Sequence, residues 1–137
     1  MITTKTNGPV TTLVLDRPAK RNALNEMMID SLGKEIAAVE ADENSRVLVI
    51  TGAEGHFAAG RDLSDADAST PLRDVMAHDD AYTAVFEMLR RSAKPSVAVV
   101  QGYAVAGGFT LAMGCDFVIA DRSARFGALE MRGGFPA

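Results

Sequence analysis

Two stretches of the chain, RVLVITGAEGHFAAGRDL from Arg46 and SVAVVQGYAVAGGFTLAM from Ser96, follow the same plan. Each opens with β-branched and apolar residues, closes that run with a glycine, crosses a loop of small residues and leads towards a helix. An apolar run of this kind bounded by glycine reads as a buried strand. Strands alternating with helices imply an α/β architecture of stacked units, and the recurrence is a weak internal repeat. A length of 137 residues suffices for one domain with a core, spanning residues 1–137, and not for two.

The remaining segments fit around these units. TTLVLDRP (Thr11–Pro18) reads as a short strand ended by proline, preceded by a hairpin turn at Asn7-Gly8. In NALNEMMIDSLGKEIAAVEAD, the residues Leu24, Met27, Met28, Leu32, Ile36 and Val39 recur at helical spacing, with Asn25 or Asn22 as the cap. Thr70 and Pro71 supply the N-cap and first turn of a second helix reaching about Arg91. Its buried face would hold Leu72, Val75, Met76, Val85, Phe86 and Leu89. KPSVAVVQG is a buried strand, Gly107-Gly108 opens a short helix through about Gly114, and CDFVIAD and ARFGAL are two further strands.

Composition removes several function classes. The formal net charge of −4 argues against a general nucleic-acid binder, which would show a basic excess. No apolar run is long enough to span a bilayer, and MITTKTNGPV lacks the apolar core of a signal peptide, so no membrane partner is expected. Cys115 is the only cysteine, which suits a reducing cytoplasm. With one cysteine and two distant histidines, His56 and His78, no metal site is expected. The chain has no GxGxxG after a strand, no P-loop, no GxSxG elbow and no HExxH helix.

What remains is two glycine-containing loops, each after a buried strand. Around Ala59 and Gly60 the backbone can approach a ligand, leaving the Arg61 N–H to point at it. Gly107 and Gly108 stand at a helix start, although each glycine in a helix interior weakens it by roughly 1 kcal/mol relative to alanine. The first amides of a helix lack intrahelical acceptors and favour negative charge. Two such amides converging on one oxygen would form an oxyanion hole. Taken singly, either loop reads equally as a tight turn against a neighbouring strand.

In combination, HFAAGRDL, then AVAGGFTLAMGCDFVIA, then ARFGALE resemble the enoyl-CoA hydratase/isomerase (crotonase) family, as does the earlier LDRPAKRNALN. The resemblance covers essentially the whole chain. It implies a crotonase-like α/β fold, a spiral of repeated strand–strand–helix units, and an acyl-CoA thioester as substrate. Coenzyme A is then part of the substrate, and no separate cofactor is expected. The resemblance makes the backbone N–H groups of Arg61 and Gly107 the two oxyanion donors. It assigns substrate and coenzyme A contacts to Lys20, Arg21, Ala23, Ala59, Gly60, Asp62, Leu63 and Gly108. Homo-oligomers built on trimers are implied as well.

The acid–base residues depart from the hydratase pattern. Hydratases of the family use two glutamates to hold and add one water. The second matches Glu130, whereas Thr110 stands where the first would fall. A threonine hydroxyl orients a water but is no general base near neutral pH. One carboxylate can still carry a proton between two carbons, so the pattern favours double-bond isomerisation over hydration.

Other residues receive structural expectations. Arg17, Lys20 and Arg21 form a basic cluster that faces either the phosphates of coenzyme A or solvent. Asp62 is expected to hold the shape of its loop, and Asp116 to hydrogen-bond at the head of a strand. Met27, Met28, Met76, Met88 and Met113 are assigned to the core, and Cys115 is a packed small hydrophobe. By resemblance a further unit and C-terminal helices should follow MRGGFPA, so the chain is expected to be incomplete there and to leave Val118, Ile119, Phe126 and Phe135 uncovered. The competing function class is a non-catalytic truncated relative that binds CoA thioesters weakly or only associates with other subunits.

Overall fold

The computed structural model describes residues 1–62 and 72–129, with the backbone alone for 72–79. β1 (Ile2–Asn7) and β2 (Val10–Leu15) form an antiparallel hairpin in which Asn7 faces Val10. The turn residues are therefore Gly8 and Pro9, one position beyond the expected pair, with Gly8 at φ 56°. β2 ends at Leu15, short of Pro18, which instead opens a 3-10 turn (Pro18–Lys20).

α1 (Glu26–Ala41) begins at Asn25, whose side-chain oxygen accepts from the Met28 N–H at 3.0 Å. This choice of cap frees Asn22 for a different task. The buried stripe of α1 is Met28, Ile29, Leu32, Ile36 and Val39. Met27 lies beside that stripe and is 76% exposed, which corrects its assignment to the core. β3 (Val47–Gly52) follows, then α2 (Leu72–Arg91), β4 (Ser96–Val100), β5 (Tyr103–Val105), α3 (Gly107–Gly114), β6 (Phe117–Ala120) and β7 (Arg125–Gly127).

β2, β3, β4 and β6 are parallel, and the five-stranded sheet runs β1-β2-β3-β4-β6. Leu13, Leu15, Leu48, Ile50, Ala98 and Val100 alternate onto one face of this sheet and join the α1 stripe, Val85 and Leu89 of α2, and Leu111 of α3 in one core. Full burial of each such leucine contributes about 1.5–3 kcal/mol. β5, which the sequence pattern did not distinguish from its loop, pairs in parallel with β7 as a separate two-stranded sheet.

The last elements bury less. Phe117 and Ile119 of β6 are 61% and 60% exposed, and Val118 and Phe126 are exposed as well. Met113 is also exposed, opposite the Gly108, Leu111 and Ala112 face of α3, so it too leaves the expected core. Among the described residues no helix is long and apolar enough to cross a membrane.

Candidate functional site

The loop after β3 is shaped from below by Asn22. This side chain is fully buried, and its backbone sits at φ 57°, a left-handed conformation that asparagine tolerates better than most residues. Its Oδ1 accepts from the Arg17 N–H at 2.9 Å. Its Nδ2 donates to the carbonyls of Ala53 (2.9 Å) and His56 (2.7 Å). One buried amide thus ties the turn after β2 to the loop after β3. Sequence alone offers Asn22 only as a candidate cap, because nothing in a single sequence marks a polar residue as buried.

From Phe57 onwards the loop runs between two neighbours. On one side the amides of Phe57 and Ala58 donate to the carbonyls of Gln101 and Tyr103 at 2.8 and 2.9 Å, and the Val105 N–H donates to the Ala58 carbonyl at 3.1 Å. On the other side the Ala59 N–H donates to Arg21 (3.0 Å), Leu24 donates to Gly60 (2.7 Å), and Asp62 donates to Leu24 (2.9 Å). Ala59, Gly60, Arg61 and Asp62 are thereby held against Arg21, Ala23 and Leu24.

Asp62 is 5% exposed and forms an ion pair with Arg17, whose guanidinium also donates to the Ala23 carbonyl at 3.2 Å. Asp62 therefore fastens the loop to the chain before α1, as expected of it. The basic cluster is divided accordingly. Arg17 turns inward to Asp62, and the Arg21 guanidinium lies 5.5 Å from the centre of the Tyr103 ring. Lys20 is exposed at the end of the 3-10 turn. The His56 ring stacks on the other partner of this group, Tyr103, at 5.0 Å, and its Nδ1 accepts from the Tyr103 N–H at 3.2 Å.

The second loop meets the first at a pair of backbones. Gly60 has φ +90°, and a Cβ there would stand 2.9 Å from the Ala106 Cβ, 3.0 Å from the Val105 carbonyl oxygen and 3.1 Å from the Gly107 nitrogen. Gly107 is the first residue of α3, after Ala106 at φ 49° and ψ −128°. That conformation is uncommon for a residue with a side chain and is associated with strain of order 1–3 kcal/mol. It is held by the Ala106 N–H donating to Gly127 at 2.7 Å, and by the Ala106 carbonyl accepting from Phe109 (2.8 Å) and Thr110 (3.1 Å). Among the described residues the Gly107 amide itself has no hydrogen-bond acceptor. As an N-terminal helix amide it carries part of the positive end of the helix dipole.

The paired glycines turn out to have separate steric reasons. A Cβ on Gly108 would lie 2.8 Å from the Ala58 carbonyl carbon and 2.9 Å from its Cβ, so this glycine lets α3 approach the first loop. A Cβ on Gly107 would meet the Tyr82 hydroxyl at 3.0 Å. Thr110 lies in the first turn of α3, half-buried, three residues beyond Gly107. Leu63 and Glu130 lie outside the described residues, as do Thr70, Pro71 and Phe135 and the side chains of Leu72, Val75 and Met76.

Two residues at the far end of α3 are structural. Asp116 accepts from both the N–H and the hydroxyl of Ser96 at 2.8 Å, joining the heads of β4 and β6. Burial pushes the Cys115 thiol up to about 12, so at neutral pH it is a protonated, packed group and no nucleophile.

The family model described as enoyl-CoA hydratase/isomerase matches residues 5–137. The chain is similar to a 1,2-epoxyphenylacetyl-CoA isomerase of Escherichia coli, 40% identical over 120 residues, covering 85% of this chain and 46% of that protein. A 2,3-dehydroadipyl-CoA hydratase of the same organism is 40% identical over 119 residues, covering 87% and 46%. Among solved structures, an enoyl-CoA hydratase/isomerase from Marinobacter aquaeolei superposes with a TM-score of 0.89 at 30% identity, over 98% of this chain and 54% of that one. The chain spans about half the length of the curated relatives it matches.

Proposed function

The chain belongs to the enoyl-CoA hydratase/isomerase family, and from that premise we propose that it handles an acyl-CoA thioester by stabilising its enolate between the amides of Arg61 and Gly107. The observation that carries this reading is the close approach of Gly60 to the Gly107 nitrogen. The peptide bearing the Arg61 N–H follows Gly60 directly, so two backbone donors from separate loops share one small region. Donors of this kind are fixed by the fold and need no reorganisation as charge develops, and losing one costs about 2.7–4 kcal/mol in kcat.

The reaction we favour is migration of a double bond in a 3-enoyl-CoA. A carboxylate removes a proton from C2, the electron pair moves onto the thioester oxygen as a dienolate, and the two amides accept that charge. The resulting carboxylic acid returns the proton to C4, the dienolate collapses, and the double bond now lies between C2 and C3. Glu130 is assigned as this single acid–base group. Thr110 supports isomerisation over hydration, because its hydroxyl orients water without taking a proton from it.

Lys20, Arg21, Ala23, Ala59, Gly60, Asp62, Leu63 and Gly108 complete the proposed contacts to substrate and coenzyme A, with no additional cofactor. Homo-oligomer formation is part of the same reading and draws support from the exposed apolar strand β6. A cytoplasmic location fits the single buried thiol.

The experiment compares Glu130→Gln and Thr110→Ala in two assays, double-bond migration in a 3-enoyl-CoA and hydration of a 2-enoyl-CoA. Glu130→Gln should remove nearly all activity, and Thr110→Ala should reduce it less. Full activity in the Glu130 variant would defeat the acid–base assignment. Absence of both reactions in the unaltered protein, with a CoA thioester still bound, would favour a non-catalytic relative.

A further inference from the structure

The Gly107 N–H shares a peptide plane with the Ala106 carbonyl, which accepts from the Phe109 and Thr110 amides, so the first turn of α3 fixes its direction. Glycine has the widest choice of backbone conformation of any residue. The residue before it, Ala106, offers no side-chain cap to the helix. A restraint on the next peptide comes from another helix. Tyr82, on α2, donates its hydroxyl hydrogen to the Gly107 carbonyl. Its ring lies over the same residue, since a Cβ on Gly107 would be 3.0 Å from Oη, 3.1 Å from Cζ and 3.4 Å from Cε2.

Resting on the oxyanion reading of Gly107, we propose that Tyr82 is a positioning residue that anchors the first turn of α3, and with it the Gly107 N–H, against α2. The two sides of Gly107 are held by different elements. On the amino side Ala106 is tied to Gly127 of β7 and to the first turn of α3. On the carboxyl side the Tyr82 hydroxyl holds the Gly107 carbonyl. The missing Cβ of Gly107 is what admits the ring so close. Tyr82 and Gly107 therefore form a matched pair, and α2 anchors the turn that carries the donor at the start of α3.

The test uses the full protein and its Tyr82→Phe variant, which keeps the ring and removes the hydroxyl. Three measurements are made: kcat and KM for double-bond migration, the absorbance of bound 2,4-hexadienoyl-CoA, and hydrogen exchange at the Phe109 and Thr110 amides that close the first turn of α3. A conjugated dienoyl thioester absorbs to the red when its carbonyl is polarised by the two amides. Loss of one neutral hydrogen bond should lower kcat about three- to tenfold with KM nearly unchanged. The red shift should shrink, and the Phe109 and Thr110 amides should exchange faster while amides of β2 and β3 keep their rates. A parent red shift that persists in the variant, with unchanged kcat and exchange, would overturn the role of Tyr82 and leave the oxyanion reading standing. Faster exchange throughout the chain would show that Tyr82 supports folding only. A parent protein that binds the dienoyl-CoA without any red shift would overturn the oxyanion reading itself, and the role of Tyr82 with it.

Discussion

Gly60 and Gly107, 47 positions apart in sequence, meet so closely that a Cβ on the first would stand 3.1 Å from the nitrogen of the second. The contact also includes the Ala106 Cβ and the Val105 carbonyl, so the first loop has no room to accept a side chain. Gly60→Ala combines this crowding with an unfavourable φ of +90°. It should destabilise the protein by more than about 1 kcal/mol, the scale of an alanine forced to positive φ. Urea unfolding measures this, and turnover should fall further than stability because the Arg61 amide moves with the loop. A variant with wild-type stability and turnover would show that the two loops are not in contact.

Gly107→Pro deletes the proposed donor at a helix position where proline is tolerated. Its ring also meets Tyr82, so Gly107→Ala serves as the control, introducing the same first carbon while keeping the N–H. Turnover of a thioester substrate should be roughly 100- to 1000-fold lower in the proline variant than in the alanine variant. Equal rates, with matching circular dichroism, would remove the Gly107 amide from the catalytic account.

Cys115 should be inert in the folded protein. Burial raises its pKa to about 12, whereas an unfolded thiol ionises near 8.5. The reactive thiolate is therefore scarce at pH 8 in the native state and forms readily once the chain unfolds. The associated stability is fully present below about pH 8.5 and is lost as the pH rises towards about 12. Iodoacetamide at pH 8 should label Cys115 only in denaturant, and rapid labelling of the folded protein would place this thiol elsewhere.

The strand β6 should make the chain self-associate. Phe117 and Ile119 lie open at the edge of the five-stranded sheet, beside Val118, and Phe126 adds exposed apolar surface from β7. Contiguous apolar surface of a few hundred Å² marks an association site in most soluble proteins. Sedimentation at micromolar concentration should show species larger than the monomer, and Ile119→Lys should shift the distribution towards monomer. A stable monomer that leaves ANS dark would refute this expectation.

Sequence by itself determined the units. The apolar runs at Arg46 and Ser96 became β3 and β4, and the start and stop of α3 at Gly107 and Gly114 fell where the glycines put them. Hydrophobic period and chain-breaking residues are local properties, so one sequence suffices to read them. The two loops that meet at Gly60 and Gly107 were also legible, through their motifs. Tertiary structure alone decided which polar residues would be buried and what each would bind. Asn22 ties the turn after β2 to the loop after β3, Arg17 abandons its basic neighbours for Asp62, and Tyr82 reaches from α2 to the Gly107 carbonyl. The same holds for Met27 and Met113, which share an apolar character with their buried neighbours and differ only in the direction they face. A side chain's partner depends on which distant segments the fold brings beside it, and that information is absent from any single window of sequence.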